Sequence, residues 1–326
     1  MLYDKELAKR FISDYNFPIP LINEMYFFYH LVLYEKDYGT LTKYRELVSL
    51  IESKYNGECK KFLDEYYNIR ENIIQTVSNC EAFQRFNKMN MLCYSIKNKP
   101  NITKKNIFNQ SNVGKFFISV DMKKANFQAL KSVDKEIVLG ADTYEDFIGK
   151  FTDLDYIKES KYTRQVIFGK LNPSRHITVE MYLITKLYEE LSSIKYLNGK
   201  CVSLSNDEII FEIEPFDEDY MFNAAREHIV SIAKDLGLDV RVEMFYLKAY
   251  NLVFKESRSV RSTFFIKDYV ATEGKFKLIA APQPYHSIMY KLYKGIDLIE
   301  YDYHFNYEGM NAMICEEFDI EEVRKD

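Results

Sequence analysis

The sequence predicts an α+β fold, an antiparallel sheet with packed helices, and three observations carry that expectation. From about residue 3 to residue 97 the Leu, Ile, Phe and Tyr positions recur at helical spacing. The stretch CVSLSNDEIIFEI, Cys201 to Ile213, has two apolar alternating runs around Ser-Asn-Asp and reads as a hairpin. The segment KFFISVDMKKANFQAL starts as an apolar strand, reaches Asp121, and then changes to helical spacing.

The N-terminal helical region is interrupted at Pro18 and Pro20 and again near Asn56-Gly57. Around Lys97 to Lys115 the chain turns polar, with Pro100 and Gly114 as punctuation, and a second subdomain begins. The expected division is a helical subdomain at 1–110, a mixed one at 111–250 and a β-rich C-terminal segment at 251–326. Residues 157–170 read as a helix, and so do Thr178 to Leu197, where Met181, Ile184, Leu187, Tyr188 and Leu191 keep the period. After the hairpin, DEDYMFNAAREHIVSIAKDLG predicts an amphipathic helix stopped by Gly237, and VRVEMFYL a half-buried strand. The last part holds short aromatic strands with turns at Glu273-Gly274 and Glu308-Gly309, plus a helix at Tyr285 to Tyr293.

Composition narrows the function classes. A chain of 326 residues that is 47% hydrophobic has ample material for a core, and its net charge of −5 argues against indiscriminate coating of nucleic acid. Five cysteines, odd in number and without CxxC spacing, indicate neither a disulfide framework nor a zinc site and fit a reducing, cytoplasmic compartment. Charges break the N-terminal segment where a signal peptide needs an apolar core, and no apolar run reaches spanning length, so no membrane partner is expected. Abundant Lys, Asn, Ile and Tyr without tryptophan are compatible with an AT-rich genome, as in a phage- or virus-encoded protein.

The chemistry-bearing residues sit at element ends. Asp121 closes one strand, and Asp207 and Glu208 lie at the hairpin tip, where a rigid strand pair holds charges out of the core. Two carboxylates brought together across one sheet would bind divalent ions and suit phosphoryl or nucleotidyl transfer. In SKYTRQVIFGKL, Arg164, Phe168 and Asn172 fall at i, i+4 and i+8, with Lys161 a turn before Arg164, so a cation, a ring and an amide would share one groove. Lys97, Lys99, Lys104, Lys105, Lys123 and Lys124 are candidate phosphate contacts. Plainer roles stand beside these: a hairpin turn for Asn206-Asp207, a helix N-cap for Asp121, core for Phe168, a solvated face for Arg164 and the lysines.

In motif order the chain resembles family A, DNA polymerase I-like enzymes, over roughly residues 112–250. VDMKKANFQAL resembles the family's first motif, with Asp121 as its acid. RQVIFGKLNP follows the nucleotide helix K-x-x-x-F-G-x-x-Y-G from Arg164, with Phe168-Gly169 intact. SNDEIIFEI stands where V-H-D-E and an apolar strand are usual, and His176 where a glutamine touches the primer–template minor groove. The resemblance implies a palm with abbreviated fingers, its motif helix at about 157–172, preceded by a thumb-like helical subdomain.

It also implies Asp121 and Asp207 as ligands of two Mg²⁺ ions with Glu208 close by, Arg164 and Lys161 on the triphosphate, and Phe168 against the incoming base. Three departures matter. Ser160 replaces a second cation, Asn126 the glutamate that helps exclude a ribose 2′-hydroxyl, and Asn172 the motif tyrosine, which leaves sugar choice open. Set against the family, most of the fingers are expected to be missing, with no room for an exonuclease domain. The expected function is template-directed nucleotidyl transfer onto a primer from nucleoside triphosphates. The alternative is a weakened palm that serves as a nucleic-acid-binding or replisome-assembly protein, and a metal nuclease is a third reading.

Overall fold

Alternation in FFISVDM places Ile118, Val120 and Met122 on one side of a strand and Phe117, Ser119 and Asp121 on the other, and this strand is the centre of the fold. A computed structural model describes residues 2–96, 100, 102–215, 219–270 and 274–324. The helices ahead of that strand are α1 (Lys5–Tyr15), α2 (Glu24–Leu33), α3 (Glu35–Tyr38), α4 (Thr40–Tyr55), α5 (Cys59–Asn79) and α6 (Glu81–Lys88). The strand, β1 (Phe116–Met122), leads into α7 (Ala125–Val133), α8 (Tyr144–Gly149), α9 (Asp155–Glu159), α10 (Lys161–Lys170) and α11 (Pro173–Leu191). There follow β2 (Cys201–Leu204), β3 (Glu208–Ile213), α12 (Asp219–Asp235), β4 (Val240–Phe254), β5 (Val260–Tyr269) and β6 (Phe276–Ile279). The chain ends with α13 (His286–Tyr293), β7 (His304–Tyr307), β8 (Met310–Met313) and β9 (Phe318–Glu322).

The main sheet runs β2-β3-β1-β4-β5-β6, with β9 also on β4, and its pairs are antiparallel. One face is apolar and carries helices: Ile118, Val120, Ile209, Phe211 and Val242 pack against Ile184, Leu187 and Leu191 of α11 and Ile229 of α12. On the other face Phe117, Ile210, Phe245 and Leu247 lie under Ile107 and Val113. The same face becomes polar toward the C-terminal end of β1, where Ser119 and Asp121 stand between β3 and β4.

The fold is α+β with an antiparallel sheet and packed helices, as the periodicities predict. The expected division of the chain meets a continuous structure. Residue 250 falls inside β4, so the C-terminal strands extend the central sheet. The N-terminal helices share a core with α8, α9 and α10 and with Leu252, Ile266 and Ile288 of the C-terminal part. Residues 157–170 are two helices rather than one, because Ser160 leaves the helical conformation and caps α10, its Oγ accepting from the Thr163 N–H at 2.9 Å. The next helix starts at Pro173, five residues before the expected Thr178, with proline in its first turn. Lys97 and Lys99, and Glu273 of the turn at Glu273-Gly274, lie outside the described residues.

A buried polar junction fixes where α10 begins. Asp14 of α1 is fully buried and accepts from Tyr66 Oη and Ser160 Oγ, each at 2.7 Å, and from Tyr156 Oη at 2.8 Å. Arg10 Nε lies 3.1 Å from the same carboxylate, and its guanidinium rests 3.9 Å from the centre of the Tyr162 ring. Burial raises the Asp14 carboxyl above its ordinary value, and Arg10 and the hydroxyl donors oppose that rise. Removing one member of such a cluster leaves the others buried without partners. Asp14→Ala is therefore expected to destabilise the protein by about 3 to 5 kcal/mol, measured by urea unfolding, whereas Lys61→Ala at an exposed ion pair is expected to change stability by less than about 1 kcal/mol.

Candidate active site

Strand register brings the predicted acids together. Asp121 is paired with Glu208 on β3 and with Arg241 on β4, so the three side chains share one face of the sheet. Met122 N–H donates to the Asp207 carbonyl at 2.8 Å, which carries the β1–β3 pairing one residue further and fixes Asp207 beside the strand end. Each acid has a neighbour of its own. Asp121 Oδ2 lies 3.0 Å from the Arg241 guanidinium, Glu208 accepts from Ser119 Oγ at 2.6 Å, and Asp207 accepts from Ser205 Oγ at 2.9 Å. Asp121 does not cap α7; the chain passes through Lys124, at φ 52°, before that helix starts.

Burial pushes the Asp121 carboxyl up to about 6; Arg241 opposes the rise, and the charges of Glu208, Asp207 and Glu243 add to it. Carboxylate oxygens gathered in this way are hard donors of the kind that divalent cations take. Asp121 and Asp207 are the pair of acids at neighbouring strand ends whose oxygens a divalent cation would take.

Cations face them across a cleft of about 570 Å³ whose lining includes Asp121, Asp207, Arg241, Lys161, Arg164 and Glu180. Burial lowers the Lys161 ammonium, and Lys277, Arg164 and Arg241 lower it further, while Asp121 opposes them. The Arg164 guanidinium, also lowered chiefly by burial, sits 5.7 Å from the centre of the Tyr144 ring. Among the described residues neither Lys161 nor Arg164 has a carboxylate within ion-pair distance.

Other expected site residues are placed differently. Phe168 does not face the cleft: it is 1% exposed, and its ring packs in the core beside Tyr144 and Phe147. Asn172 lies beyond the end of α10, in the left-handed region at φ 55°, and donates to Asn87 Oδ1 at 2.8 Å. It therefore does not continue the Arg164 face; a residue before proline is disfavoured in the helical conformation, and the helix ends at Lys170. His176 is buried, not open to a duplex, with its ring nitrogens 3.1 Å from the Phe168 carbonyl and 3.2 Å from Glu180.

Lys123 and Lys124 line the cleft, but they are paired with Asp239 and Glu145. Lys104 and Lys105 are exposed beside β2, where the Lys105 N–H donates to Ser203 Oγ at 3.0 Å. Asn126 does line the cleft.

Three residues escaped the sequence reading. Glu180 on α11 is 1% exposed and binds Asn126, Asn206 and His176; its only sequence signal is the four-residue spacing from His176. Arg241 was legible as an outward position of an alternating strand, although the register that sets it against Asp121 was not. Lys267 of β5 is nine-tenths buried, its ammonium 4.4 Å from the centre of the Phe245 ring, and it belongs to the segment the sequence left without a role.

No family model, curated protein or solved structure matches this chain. Among the described residues no helix is long and apolar enough to cross a membrane.

The raised Asp121 carboxyl makes a pH prediction. A folded-state value of about 6 against an ordinary 3.8 means that the native protein holds the proton more tightly. That contribution to stability is complete below about pH 4 and is lost as pH rises through about 6. The gap corresponds to about 3 kcal/mol, which screening at a partly exposed site and the loss of the Arg241 ion pair reduce to about 1 to 2 kcal/mol. In metal-free buffer, Asp121→Asn is expected to be more stable than the parent by that amount at pH 8 and equal to it at pH 4, as read by urea unfolding.

Proposed function

We propose that the chain is a template-directed nucleotidyltransferase that extends a primer from nucleoside triphosphates. The observation that carries this reading is a cleft lined by Asp121 and Asp207, from adjacent strand ends, and by Lys161 and Arg164, which have no ion-pair partner among the described residues. A triphosphate bound with divalent metal has both signs of charge, and this cleft offers both. Lys161 and Arg164 bind the phosphate oxygens, Arg164 with the planar fork that suits them.

Asp121 and Asp207 are the ligands for two magnesium ions, which when bound make the attacking hydroxyl more acidic and neutralise charge on the departing phosphates. In the proposed reaction the primer 3′-oxygen bonds to the α-phosphorus and the bond from that phosphorus to the bridging oxygen of pyrophosphate breaks. The hydroxyl proton leaves to solvent.

The order of the motifs supports a polymerase-like palm, and the helix-covered sheet with acids on its polar end is compatible with one. A second reading, a palm that binds primer–template or replisome proteins without efficient synthesis, is favoured by one observation. Phe168 is committed to the core, so α10 does not present that ring to a base.

Primer extension in magnesium separates the readings. The wild-type protein is expected to extend a primed template, and Asp207→Ala to lose activity by roughly a thousandfold or more. Arg164→Ala is expected to raise KM for the nucleotide about tenfold with a smaller effect on kcat. Duplex binding without extension by the wild type supports the second reading, and shortening of the primer supports a nuclease.

A further inference from the structure

The segment HFNYEGMNAM folds back on itself because Glu308 and Gly309 both take left-handed backbone, φ 49° and 85°, the geometry of a two-residue hairpin turn. β7 and β8 pair from His304 opposite Met313 to Tyr307 opposite Met310, as a two-stranded ribbon apart from the main sheet. The Ile314 N–H donates to the Tyr303 carbonyl at 2.9 Å. Antiparallel strands turn alternate residues toward each other, so Met310 and Ala312 also bond across to β7, and the N–H and C=O groups of Asn311 and Met313 point away from it. Among the described residues no hydrogen bond is made to that outer edge. β7 is flanked instead: Asn306 Nδ2 donates to the Leu21 carbonyl at 3.0 Å, and the His304 ring centre lies 4.9 Å from that of Tyr26 in α2.

A bare strand edge is ordinarily guarded by charge, because a charged side chain resists an incoming strand. The main sheet follows this rule at β6, with Lys277, and at β9, with Asp319, Glu321 and Glu322. Its uncharged strand β2 has chain alongside it, where the Lys105 N–H and carbonyl bond to Ser203 Oγ. The ribbon is different. β7 is His304-Phe305-Asn306-Tyr307 and β8 is Met310-Asn311-Ala312-Met313, without Asp, Glu, Lys or Arg, and Tyr307, Met310 and Met313 are each more than half exposed.

The missing charge also selects the partner. A strand from a second copy meets its own sequence across a two-fold axis, so any charge it carried would face the same charge. An uncharged strand avoids that repulsion, and its outward donors and acceptors are their own complement in antiparallel pairing. An unlike partner would be chosen by charge of the opposite sign, and β8 offers none to read.

We propose that β8 is a self-association edge, through which two copies of the chain pair antiparallel at Asn311 and Met313 and join their two-stranded ribbons into one four-stranded sheet. This pairing stands apart from the cleft and holds whatever reaction the cleft performs. A short strand pair with a small apolar patch makes a weak dimer, with Kd on the order of 10 μM.

The test is sedimentation velocity of the full chain from about 1 to about 200 μM, with amide hydrogen exchange followed over the same range. A monomer–dimer equilibrium is expected, with exchange at the Asn311 and Met313 amides slowed about fivefold in concentrated protein and at Ala312 and Ile314, already bonded to β7, changed little. Met310→Lys combined with Met313→Lys sets like charges against each other at the joint and is expected to raise the dimer Kd at least about tenfold. A chain that stays monomeric at about 200 μM leaves the edge to an unlike partner and overturns self-association. So does a dimer that the double variant leaves unchanged, or one in which the Asn311 and Met313 amides stay unprotected. The wild-type exchange pattern decides the matter even where the variant fails to fold.

Discussion

The constraint on which the site depends is the position of β1 between β3 and β4, with hydrogen-bonded partners on both sides. Its two-residue alternation turns Val120 and Met122 into the helix-covered core and sends Ser119 and Asp121 to the opposite face. A slip of one residue would bury Asp121 among Ile184, Leu187 and Leu191 and expose Val120. Burial of the apolar face thus specifies the register that sets Asp121 beside Glu208 and Arg241. The acids are located by backbone pairing, which is stiffer than any contact between their side chains. The Ser119 hydroxyl, itself buried, adds a local restraint by holding Glu208.

The cations depend on a different device. α10 carries Lys161 and Arg164, and its first residue follows Ser160, which is both its cap and a donor to Asp14. The start of the helix is therefore tied to α1, and through Tyr66 to α5. A second buried acid, Asp302, does the same for the C-terminal part: it accepts from Tyr29 of α2 at 2.7 Å and from Lys291 of α13 at 2.8 Å. Buried ionic clusters contribute little net stability against apolar packing of equal volume, but they penalise every arrangement that separates their members. Here they tie the start of α10 to α1 and α5, and α13 to α2, so the helix that carries Lys161 and Arg164 is anchored by residues far from the cleft.

Much of this was legible in the sequence, because alternation and helical spacing report burial directly. The β1 strand, the hairpin after Cys201, the helix ended by Gly237 and the turn at Glu308-Gly309 follow from such local signals. Long-range pairing is not encoded locally, so β4 was read as an eight-residue strand, when it runs to Phe254 and recruits the C-terminal strands. Phe168 shows the same limit in reverse. Its spacing from Arg164 is right for a shared helix face, yet a phenyl ring next to Tyr144 and Phe147 gains more from the core than from a polar cleft. Asn172 failed on backbone grounds, since the proline after it ends the helical path. Glu180 gave almost no signal, because an acid on an amphipathic helix is usually solvated and only the fold shows that this one is buried.

The electrostatics of the cleft sharpen what kind of ligand completes it. Burial lowers Lys161 first, and Lys277, Arg164 and Arg241 lower it further against Asp121; burial also lowers Lys267 first, with Glu208 and Glu243 opposing the drop and Lys277 and Arg241 adding to it. Asp121 meanwhile is raised by Glu208, Asp207 and Glu243 after burial. The cations of α10 thus share the cleft with the acids of β1 and the β2–β3 turn, while Arg241 pairs with Asp121 and Glu243 on the sheet itself. Two groups of opposite sign that repel internally and yet do not fully neutralise each other are most relieved by a ligand that carries both signs in sequence. A simple anion would satisfy only the cations and add to the charge around Asp121; a bare divalent cation would do the reverse. A polyphosphate with its metal addresses both at once. These grounds support the metal-bound nucleotide of the proposed function, and the C-terminal strands, through Lys267 and Lys277, belong to the same charge system as the acids on β1 and β3.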